Sequence, residues 1–500
     1  MATAHVDAKR DTLALLDQHV APENIQPRPR RYVAIAASVA LIPALLAACT
    51  PNQPQSAAQS TAQSGTVSQS GPGASVANTP ISGAQPATPP APGTLAPIAP
   101  VEIPALSAAP PATGPFSFTD PAHGTTIHRA TQAGDGQGGR LRHEYSRRQA
   151  FNADNSRLLA QDGAGNWYLT DPTSGKTVTP LKDLAGDCEP LWHPTNPNLL
   201  RFTSRDGGPI WWELDVATGT KTELFNLTGK TPWPQATQFW TKGEGTTSAD
   251  GRILTLMATH YDQGAQQTTA HGVLTIDVTT GQILGTLSAA DFPVKGAMPD
   301  HVSTSPSGKY AVVSWLDGMG GTRAFTTDFA ANQELTPGSE HSDLAQTADG
   351  RDVLVTADYG SGMIAMIDLA DGRRTDLHTL YPAEGEAYAV HFSGQNSARP
   401  GWVVVSTYAD TAEHGQKAPS SNLRAEYRKV WLLELTANPR ALGVAHVRAQ
   451  KAANESEEYF LEPQASASRD LSKVVFASNL GGKGIESWVV DIPIDALNSQ

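Results

Sequence analysis

The sequence predicts an all-β fold, a seven-bladed β-propeller, and three observations support that prediction. Glycine and proline are frequent (44 and 37 of 500 residues) and only 17% of the residues are charged, while Val, Thr, Trp and Tyr occur in short runs, which is typical of many short strands joined by turns. An apolar strand ending in an acid, followed by a small-polar turn, recurs seven times after residue 115. The last repeat ends soon after its strand, which leaves room for one more strand from elsewhere in the chain.

The seven repeats are marked by the acid that ends each apolar strand, as in "YLTDPTSG" at 168, "TIDVTTG" at 275 and "MIDLADG" at 366. These acids are 40 to 66 residues apart, enough for four strands and their loops. We expect the acids to be structural, because Asp in a turn accepts hydrogen bonds from backbone amides. Radial repetition protects strand edges, and residues 124–131 ("GTTIHRAT") are predicted to supply the outer strand that the last repeat lacks. The seven acids are Asp171, Asp215, Asp277, Asp328, Asp368, Glu434 and Asp491.

Residues 1–49 have the parts of a secretory signal. Three arginines between positions 28 and 31 precede an apolar stretch, residues 32–48, that ends in small residues before Cys49. The tetrapeptide "LAAC" ending at Cys49 resembles the lipobox of bacterial lipoproteins, which implies cleavage before Cys49 and lipidation of its thiol. The alternative is an uncleaved single-span anchor, for which the stretch is slightly short. Both place the rest of the chain outside the cytoplasm, lipid-anchored or spanning once in the bacterial cell envelope, in the periplasm, at the outer membrane or at the cell surface.

Residues 50–115 are predicted to be a disordered tether. They consist almost entirely of Pro, Ala, Ser, Gln, Thr and Gly, and Glu102 is the only charged residue between Cys49 and Asp120. Such a segment cannot bury enough apolar surface to offset its backbone entropy, and a partly extended chain of this kind would hold a domain away from the membrane. The expected organisation is therefore a signal peptide (1–49), a tether (50–115) and a propeller (116–500).

The charge and the motifs exclude several classes of function. A net charge of −13 argues against a nucleic-acid partner, because nucleic-acid binding needs a basic surface. The chain lacks a Gly-Xaa-Ser-Xaa-Gly elbow, a haem motif, a phosphate loop and a dinucleotide fingerprint, so a hydrolase or redox enzyme has little support. Cys49 and Cys188 have such different settings that no disulfide is expected between them. The propeller is expected to be a monomer.

Polar residues recur in the loops that enter the innermost strands, where propellers usually bind their ligands. Aligning the repeats places Gln149, His301 and Gln464 at equivalent positions. These residues either cap the inner strands and fill the channel mouth with hydrogen bonds, or form a pocket for an anionic ligand or a divalent metal (Zn²⁺, Mn²⁺ or Ca²⁺). Three further histidines are found in the same loops: His193, His341 and His391.

Two groups of candidate residues follow from these loops. The metal candidates are Cys188, His301 and His341, because thiolate and imidazole are preferred ligands of Zn²⁺, and Gln149, His193 and Gln464 are ligand-binding candidates. The stretch "RLRHEYSRRQAFNADNSRLL" (140–159) enters the first inner strand. Its His143, Tyr145, Arg147 and Arg148 either face the channel mouth or form a charged surface loop.

The stretch "YSRRQAFNADNSRLLAQDGAGNWYLTDPTSG" is similar to the opening blade of the propeller polysaccharide lyases, the oligogalacturonate and ulvan lyases, and "EPLWHPTNPNLLRFTSRDG" resembles a later segment of the same families. The resemblance implies β-elimination across a uronate, in which a cation neutralises the carboxylate, a base removes the C5 proton and an acid protonates O4. It implies His143 as acid or base with Tyr145 as its partner, and Arg147 or Arg148 as a bidentate carboxylate clamp. His123 is a second acid or base candidate.

Two hypotheses follow. The first is a tethered envelope lipoprotein that binds or cleaves an acidic, uronate-containing polysaccharide. The second is a non-catalytic propeller that serves as a scaffold for envelope proteins. The sequence leaves open whether the protein is an enzyme.

Overall fold

A computed structural model of the chain describes residues 90–91, 93–100, 103, 106, 108–381, 388–408, 424–450 and 458–498. Within these ranges the chain is all-β, with one short α-helix at Glu458–Leu461 and 3-10 turns at Ala133–Asp135, Ala289–Asp291 and Ile494–Leu497. No helix in the described ranges is long and apolar enough to cross a bilayer. The predicted signal peptide, including Cys49, and most of the predicted tether lie outside the described residues.

The strands of the described residues are short, most of them three to seven residues long. In chain order they are β1 Ser117–Thr119, β2 Thr126–Arg129, β3 Arg140–Arg142, β4 Leu158–Asp162, β5 Asn166–Thr170, β6 Thr179–Ala185, β7 Leu191–Trp192, β8 Leu199–Phe202, β9 Ile210–Asp215, β10 Thr220–Asn226, β11 Gln238–Trp240, β12 Ile253–Asp262, β13 Gln267–Asp277, β14 Gln282–Ser288, β15 His301–Thr304, β16 Tyr310–Ser314, β17 Thr322–Thr326, β18 Asn332–Thr336, β19 Ser342–Gln346, β20 Asp352–Asp358, β21 Met363–Asp368, β22 Arg374–Thr379, β23 Ala389–Ser393, β24 Trp402–Tyr408, β25 Lys429–Glu434, β26 Ala441–His446, β27 Ser466–Ala467, β28 Lys473–Ser478 and β29 Ile485–Asp491.

These strands form many small antiparallel sheets. Five sheets have four consecutive strands each: β7–β10, β11–β14, β15–β18, β19–β22 and β23–β26. A nine-stranded sheet contains two further series, β3–β6 and β27–β28–β29–β2, with β1 added outside β2. The strand ladders of the two series meet at a short parallel contact between β29 and β3, at Ile485↔Arg140 and Glu486↔Leu141. Small antiparallel sheets of this kind are consistent with the predicted propeller.

The N-terminal segment supplies the outer strand of the last series, as the sequence predicted. Strand β2 pairs antiparallel with β29, with Ile127 opposite Val490, and Ala130 N donates to Ser487 O at 3.0 Å. Ile127 is completely buried in the cluster that also contains Trp488 and Val490. The strand that precedes the first repeat is therefore hydrogen-bonded to the last repeat, and the prediction for residues 124–131 is confirmed.

The hydrophobic core is distributed between neighbouring sheets, because each sheet buries one face against the next. One cluster joins β4 and β5 to β8 through Leu159, Trp167 and Phe202, and comparable clusters occur along the chain between the following sheets. The last series of strands packs on the first, where Val475 and Val489 belong to the same hydrophobic cluster as Phe151. This arrangement brings loops that are distant in sequence to a common centre.

Most of the repeated acids accept hydrogen bonds from backbone amides of the turn that follows them, as predicted. Asp171 Oδ1 accepts hydrogen bonds from the amides of Thr173 (2.8 Å) and Ser174 (3.0 Å), and Asp215 and Asp277 make the same pair of bonds in their repeats. Asp491 differs, because its carboxylate pairs with His128 and Lys473. The acid at the strand end is structural in both arrangements.

The end of the predicted tether contacts the folded domain. Ile98 N donates to Ala441 O and Gly443 N donates to Ala96 O, both at 2.9 Å, so this stretch runs along the outer edge of β26. Leu95 packs against the adjoining hydrophobic cluster. An uncovered strand edge is a site of non-native pairing, and here residues of the predicted tether cover it.

Candidate functional site

A shared turn geometry positions the polar side chains at the centre of the fold. In five repeats a turn residue donates its backbone N–H to the carbonyl at or just before the start of the next strand, at 2.9 to 3.1 Å. The residue four positions earlier therefore has the same place in each repeat. The turn residues are Asn152, Ser248, Ser305, Thr347 and Ser468, and the residues four positions earlier are Arg148, Glu244, His301, Asp343 and Gln464.

This register corrects one part of the sequence alignment. His301 and Gln464 are equivalent, as predicted, but Arg148 and not Gln149 occupies that position in the first repeat. The shared offset also identifies Glu244 and Asp343, which the sequence reasoning missed. Applying the offset to "EGTTSADG" and "DLAQTADG" would have found both residues.

Arg147 joins several repeats through its guanidinium group. Its NH1 lies 2.7 Å from Glu244 Oε2 and 2.7 Å from His301 Nε2, and its NH2 donates to the carbonyl oxygen of Glu340 at 3.2 Å. The side chain is almost fully buried. Burial opposes the charged form, but the Glu244 carboxylate outweighs it and raises the pKa of Arg147. Arg147 is therefore a permanently charged group whose donors already have partners.

His301 continues this network on the side away from Arg147. Because Arg147 donates to Nε2, that nitrogen is unprotonated in a neutral ring, and the proton belongs on Nδ1. Nδ1 faces the carboxylate of Asp300 at 3.5 Å. Asp300 also accepts from Ser339 Oγ at 2.9 Å and lies 4.0 Å from Lys242 Nζ. Burial opposes its ionisation, but these partners lower the pKa of Asp300.

Next to Arg147, imidazoles and phenols from three repeats pack against one another. His391 packs against Tyr408 (ring centroids 4.5 Å apart), His341 (4.8 Å) and Tyr145 (5.4 Å). The hydroxyl of Tyr408 lies 3.0 Å from His341 Nδ1, and Glu462 lies 3.5 Å from His391 Nε2. Burial, followed by the charge of Glu244, raises the pKa of Tyr145 well above 10, so this phenol stays protonated.

We refer to these residues as the mouth cluster. It combines a buried arginine, three imidazoles and two phenols with a carboxylate that bridges Arg147 and His301. Its members come from the first, third, fourth, fifth and sixth series of strands in chain order. They are Tyr145, Arg147, Glu244, His301, His341, His391 and Tyr408.

Arg148 and Gln149 lie beside the mouth cluster, but their side chains form hydrogen bonds with backbone atoms. Arg148 donates to the carbonyl oxygens of Gly243 (3.1 Å) and Gly245 (2.8 Å), and Glu189 Oε1 lies 3.7 Å from its NH2. Gln149 donates to Gln395 O at 3.2 Å and accepts from Phe151 N. Both side chains therefore tie the first inner loop to other repeats.

His143 and Gln464 form a separate buried contact. His143 Nε2 lies 2.7 Å from Gln464 O, and its Nδ1 lies 3.1 Å from Ser487 Oγ. Burial, followed by the charge of Arg142, lowers the pKa of His143 well below 6.5. The side chain of Gln464 accepts from Arg142 at 2.7 Å. Both imidazole nitrogens of His143 are thus engaged within the protein.

Three predicted site residues lie away from the mouth cluster. Cys188 is buried in the apolar cluster between the first two series of strands, and burial raises the pKa of its thiol. His193 follows inner strand β7, and its Nδ1 accepts the amides of Thr195 (3.2 Å) and Asn196 (3.0 Å). The third residue, His123, lies against His446 with ring centroids 4.8 Å apart.

His123 belongs to a buried group that could hold a metal. One carboxylate oxygen of Asp120 and one nitrogen each of His123 and His446 lie within 4.8 Å of one another. We refer to these three residues as the seam group, because β26, which contains His446, here meets the hairpin that closes the fold. The predicted metal candidates His301 and His341 lie in the mouth cluster and are not part of it.

Comparison with known proteins identifies the fold. No family model matches the chain, and no curated protein matches it. An oligogalacturonate lyase from Vibrio parahaemolyticus is 12% identical, with a TM-score of 0.51, over 76% of this chain and 97% of that one. An oligogalacturonate lyase in complex with manganese is 14% identical (TM-score 0.48; 77% and 97% covered). TolB from Acinetobacter baumannii is 16% identical (TM-score 0.30; 62% and 64% covered). The fold resembles that of the propeller lyases, as the sequence predicted.

Proposed function

We propose that the chain is a seven-bladed propeller that binds an acidic, uronate-containing polysaccharide at the mouth cluster and cleaves it by β-elimination. Five four-stranded sheets and the two series of the nine-stranded sheet would be the seven blades. The packing of the last series on the first supports a closed ring. An oligogalacturonate lyase shares this fold, and the proposal extends its substrate class to this chain.

One observation carries the proposal. Arg147 lies in a cluster with imidazoles and phenols that come from several blades. Arg147 would pair with the uronate carboxylate in competition with Glu244, since guanidinium and carboxylate match bidentately. Neutralising the carboxylate makes the C5 proton more acidic. Positioned proton transfer contributes about 10²- to 10⁴-fold to rate.

The acid and the base are assigned from the contacts. His391, next to Glu462, would take the C5 proton, and the electrons of the C–H bond would form the C4–C5 double bond as the C4–O4 bond breaks. Tyr145, whose raised pKa keeps it protonated, would deliver the proton to O4. His143 is not chosen, because both of its nitrogens are engaged within the protein.

Purified protein incubated with polygalacturonate or ulvan tests this assignment. Elimination creates an unsaturated uronate, so ultraviolet absorbance should rise, and the assay is run with and without added Zn²⁺, Mn²⁺ or Ca²⁺. His391→Gln and Tyr145→Phe should lower the rate by about 10²-fold or more. His193→Gln, which changes a histidine outside the mouth cluster, should keep the wild-type rate. No rise with either polymer under any of these conditions removes the lyase proposal.

A non-catalytic scaffold for envelope proteins is the second candidate. The observation that favours it is the internal pairing of both arginines, since Arg147 is held by Glu244 and Arg148 by two carbonyls and two carboxylates. Retained binding of polymer without a rise in absorbance would support a binding protein. Absence of both would favour the scaffold.

The proposed location is the cell envelope, through a lipid on Cys49, with the propeller as a monomer. The lipobox-like "LAAC" and the low-complexity stretch after it support this proposal. Cys49→Ser should move the protein from the membrane fraction to the soluble fraction, and mass spectrometry should find the lipid on the N-terminal peptide. A wild-type protein with an unmodified Cys49 contradicts it.

A further inference from the structure

The seam group lies apart from the mouth cluster and joins two distant parts of the chain. Asp120 and His123 belong to the turn between β1 and β2, and His446 is the last residue of β26. Their exposed fractions are 0%, 5% and 1%, so all three polar side chains are withdrawn from water. Such a group needs partners inside the protein.

Two nitrogen atoms of the seam group lack a hydrogen-bond partner. Nε2 of His123 and Nε2 of His446 are buried without a hydrogen-bond partner. Buried polar atoms almost always have a partner, and each exception requires an explanation. A bound metal ion is one such explanation, because imidazole nitrogen is a common metal ligand.

The carboxylate of the seam group is already oriented by the backbone. Asp120 Oδ1 accepts from Ala122 N (2.9 Å) and His123 N (3.2 Å), and its Oδ2 accepts from His446 N (3.0 Å). Outer hydrogen bonds of this kind fix metal ligands in place. Burial opposes the ionisation of Asp120, but its contacts with His446 outweigh it and hold the pKa of Asp120 well below its usual range.

We infer that Asp120, His123 and His446 bind one Zn²⁺ ion, and that this ion fastens the hairpin that closes the propeller to the outer strand of the preceding sheet. Two imidazoles and one carboxylate are a typical three-ligand set for zinc, with water as the fourth ligand. Ca²⁺ and Mg²⁺ prefer oxygen ligands and fit this set poorly.

Binding requires the ligands to move closer together. Zinc bonds of about 2.0–2.2 Å place ligand atoms nearer to one another than the present spread of 4.8 Å, so one or both imidazoles must turn inward. Lys429 and Arg448 lie near the two histidines and disfavour a cation electrostatically. Direct coordination by nitrogen therefore has to provide the affinity.

The position of His123 depends on Gly443. A Cβ at residue 443 would lie 2.4 Å from Cε1 of His123 and 2.5 Å from its Nδ1, which is much closer than two such atoms can approach. Gly443→Ala therefore displaces a ligand without removing any of the three ligand side chains.

The ion would join the seam of the ring to the neighbouring sheet. Strand β2 is hydrogen-bonded to β29 on one side, while the turn before it contacts β26 through Thr125 Oγ1 and Val444 O at 2.6 Å. A metal in the seam group adds a link at this second contact. The closing strand would then exchange its amide hydrogens more slowly when Zn²⁺ is bound.

The test uses the full chain, stripped with a chelator and dialysed against Zn²⁺. Wild-type protein should retain one zinc per chain, and melting temperature should rise by several degrees at a large excess of Zn²⁺ over its Kd. His123→Gln, His446→Gln and Gly443→Ala should each lower the affinity at least tenfold. Two controls should bind as wild type: His128→Gln, on the adjoining strand, and His260→Gln, which breaks the cross-strand pair of His260 with His271.

A second measurement does not depend on whether a variant folds. Co²⁺ added to the stripped wild-type protein should give the visible absorption of a four-coordinate nitrogen and oxygen site, and Zn²⁺ should abolish it. Hydrogen exchange at Ile127 to Arg129 should slow with Zn²⁺. The inference is wrong if wild-type protein retains no zinc, if an ordered water alone fills the seam group in a crystal grown with Zn²⁺, or if His260→Gln removes the metal while His123→Gln keeps it. Lyase activity is not part of the readout, so either proposal can fail alone.

Discussion

The mouth cluster and the seam group both bury imidazoles, but they differ in the charged groups that surround those imidazoles. In the mouth cluster Arg147 donates to partners in several repeats, and His301 has a partner at each nitrogen. In the seam group Nε2 of both histidines lacks a partner. A concentration of polar residues is therefore not by itself the sign of a ligand. At the centre of the mouth cluster, Arg147 and Glu244 form an ion pair, whereas the seam group leaves two buried imidazole nitrogens available to a ligand.

The largest effect is expected from removing the centre of the mouth cluster. Arg147→Ala leaves the carboxylate of Glu244 buried without its closest cation and deprives His301 of a donor. Breaking a buried ion pair in this way costs about 3–5 kcal/mol. The free energy of unfolding, measured by urea denaturation, should fall by that amount.

The control for Arg147→Ala is Arg252→Ala. Arg252 pairs with Asp277 but its side chain is 60% exposed, and exposed pairs contribute about 1 kcal/mol or less. Equal small losses in the two variants would mean that the mouth cluster is hydrated and open, which would strengthen its assignment as a binding site.

Repetition explains why the fold and much of the mouth cluster could be predicted from the sequence. The strand-end acids recur in each repeat, and the last repeat is one outer strand short. Residues 124–131 were therefore expected to supply that strand, as the pairing of β2 with β29 shows. The same regularity locates His301, and a one-residue error in the first repeat was the reason that Gln149 was chosen in place of Arg148. Glu244 was available to the same reasoning once the offset of four was fixed.

The seam group could not be predicted in this way. Asp120 and His446 are 326 residues apart, and they meet where the β1–β2 hairpin, paired with β29, also contacts β26. Neither residue belongs to the repeated pattern, and His123 was singled out for a role in acid–base chemistry. The three proposed metal ligands come together only through packing between distant parts of the chain, and the sequence does not display that packing.

Without bound metal, the stability of the protein is expected to depend on pH through the histidines of the seam group. The pKa of His123 is lowered from 6.5 to about 3, so the unfolded chain binds the extra proton between these values. Its contribution to stability is complete above about pH 6.5 and declines as the pH falls toward 3, at up to about 1.4 kcal/mol per pH unit. The lowered pKa of Asp120 changes the stability of the protein only below about pH 4.

In chelator, His123→Gln should therefore unfold with a shallower dependence on pH between 6.5 and 4 than wild type. The slope should not vanish, because His143 is also buried with a lowered pKa and contributes with the same sign. An unchanged slope in His123→Gln would mean that folding does not change the pKa of His123, which would contradict its burial without a charged partner strong enough to offset it.

A small effect is expected at His193, whose imidazole belongs to neither group. Its Nδ1 accepts two backbone amides in an exposed turn, and water can replace an acceptor there. His193→Ala should lower the free energy of unfolding by about 0.5–1.5 kcal/mol, the usual value of a hydrogen bond, measured by thermal and urea denaturation. Zinc retention should not change, because the ring has no contact with the seam group. A loss as large as that of Arg147→Ala would show that the half-exposed imidazole of His193 belongs to the central network of the fold.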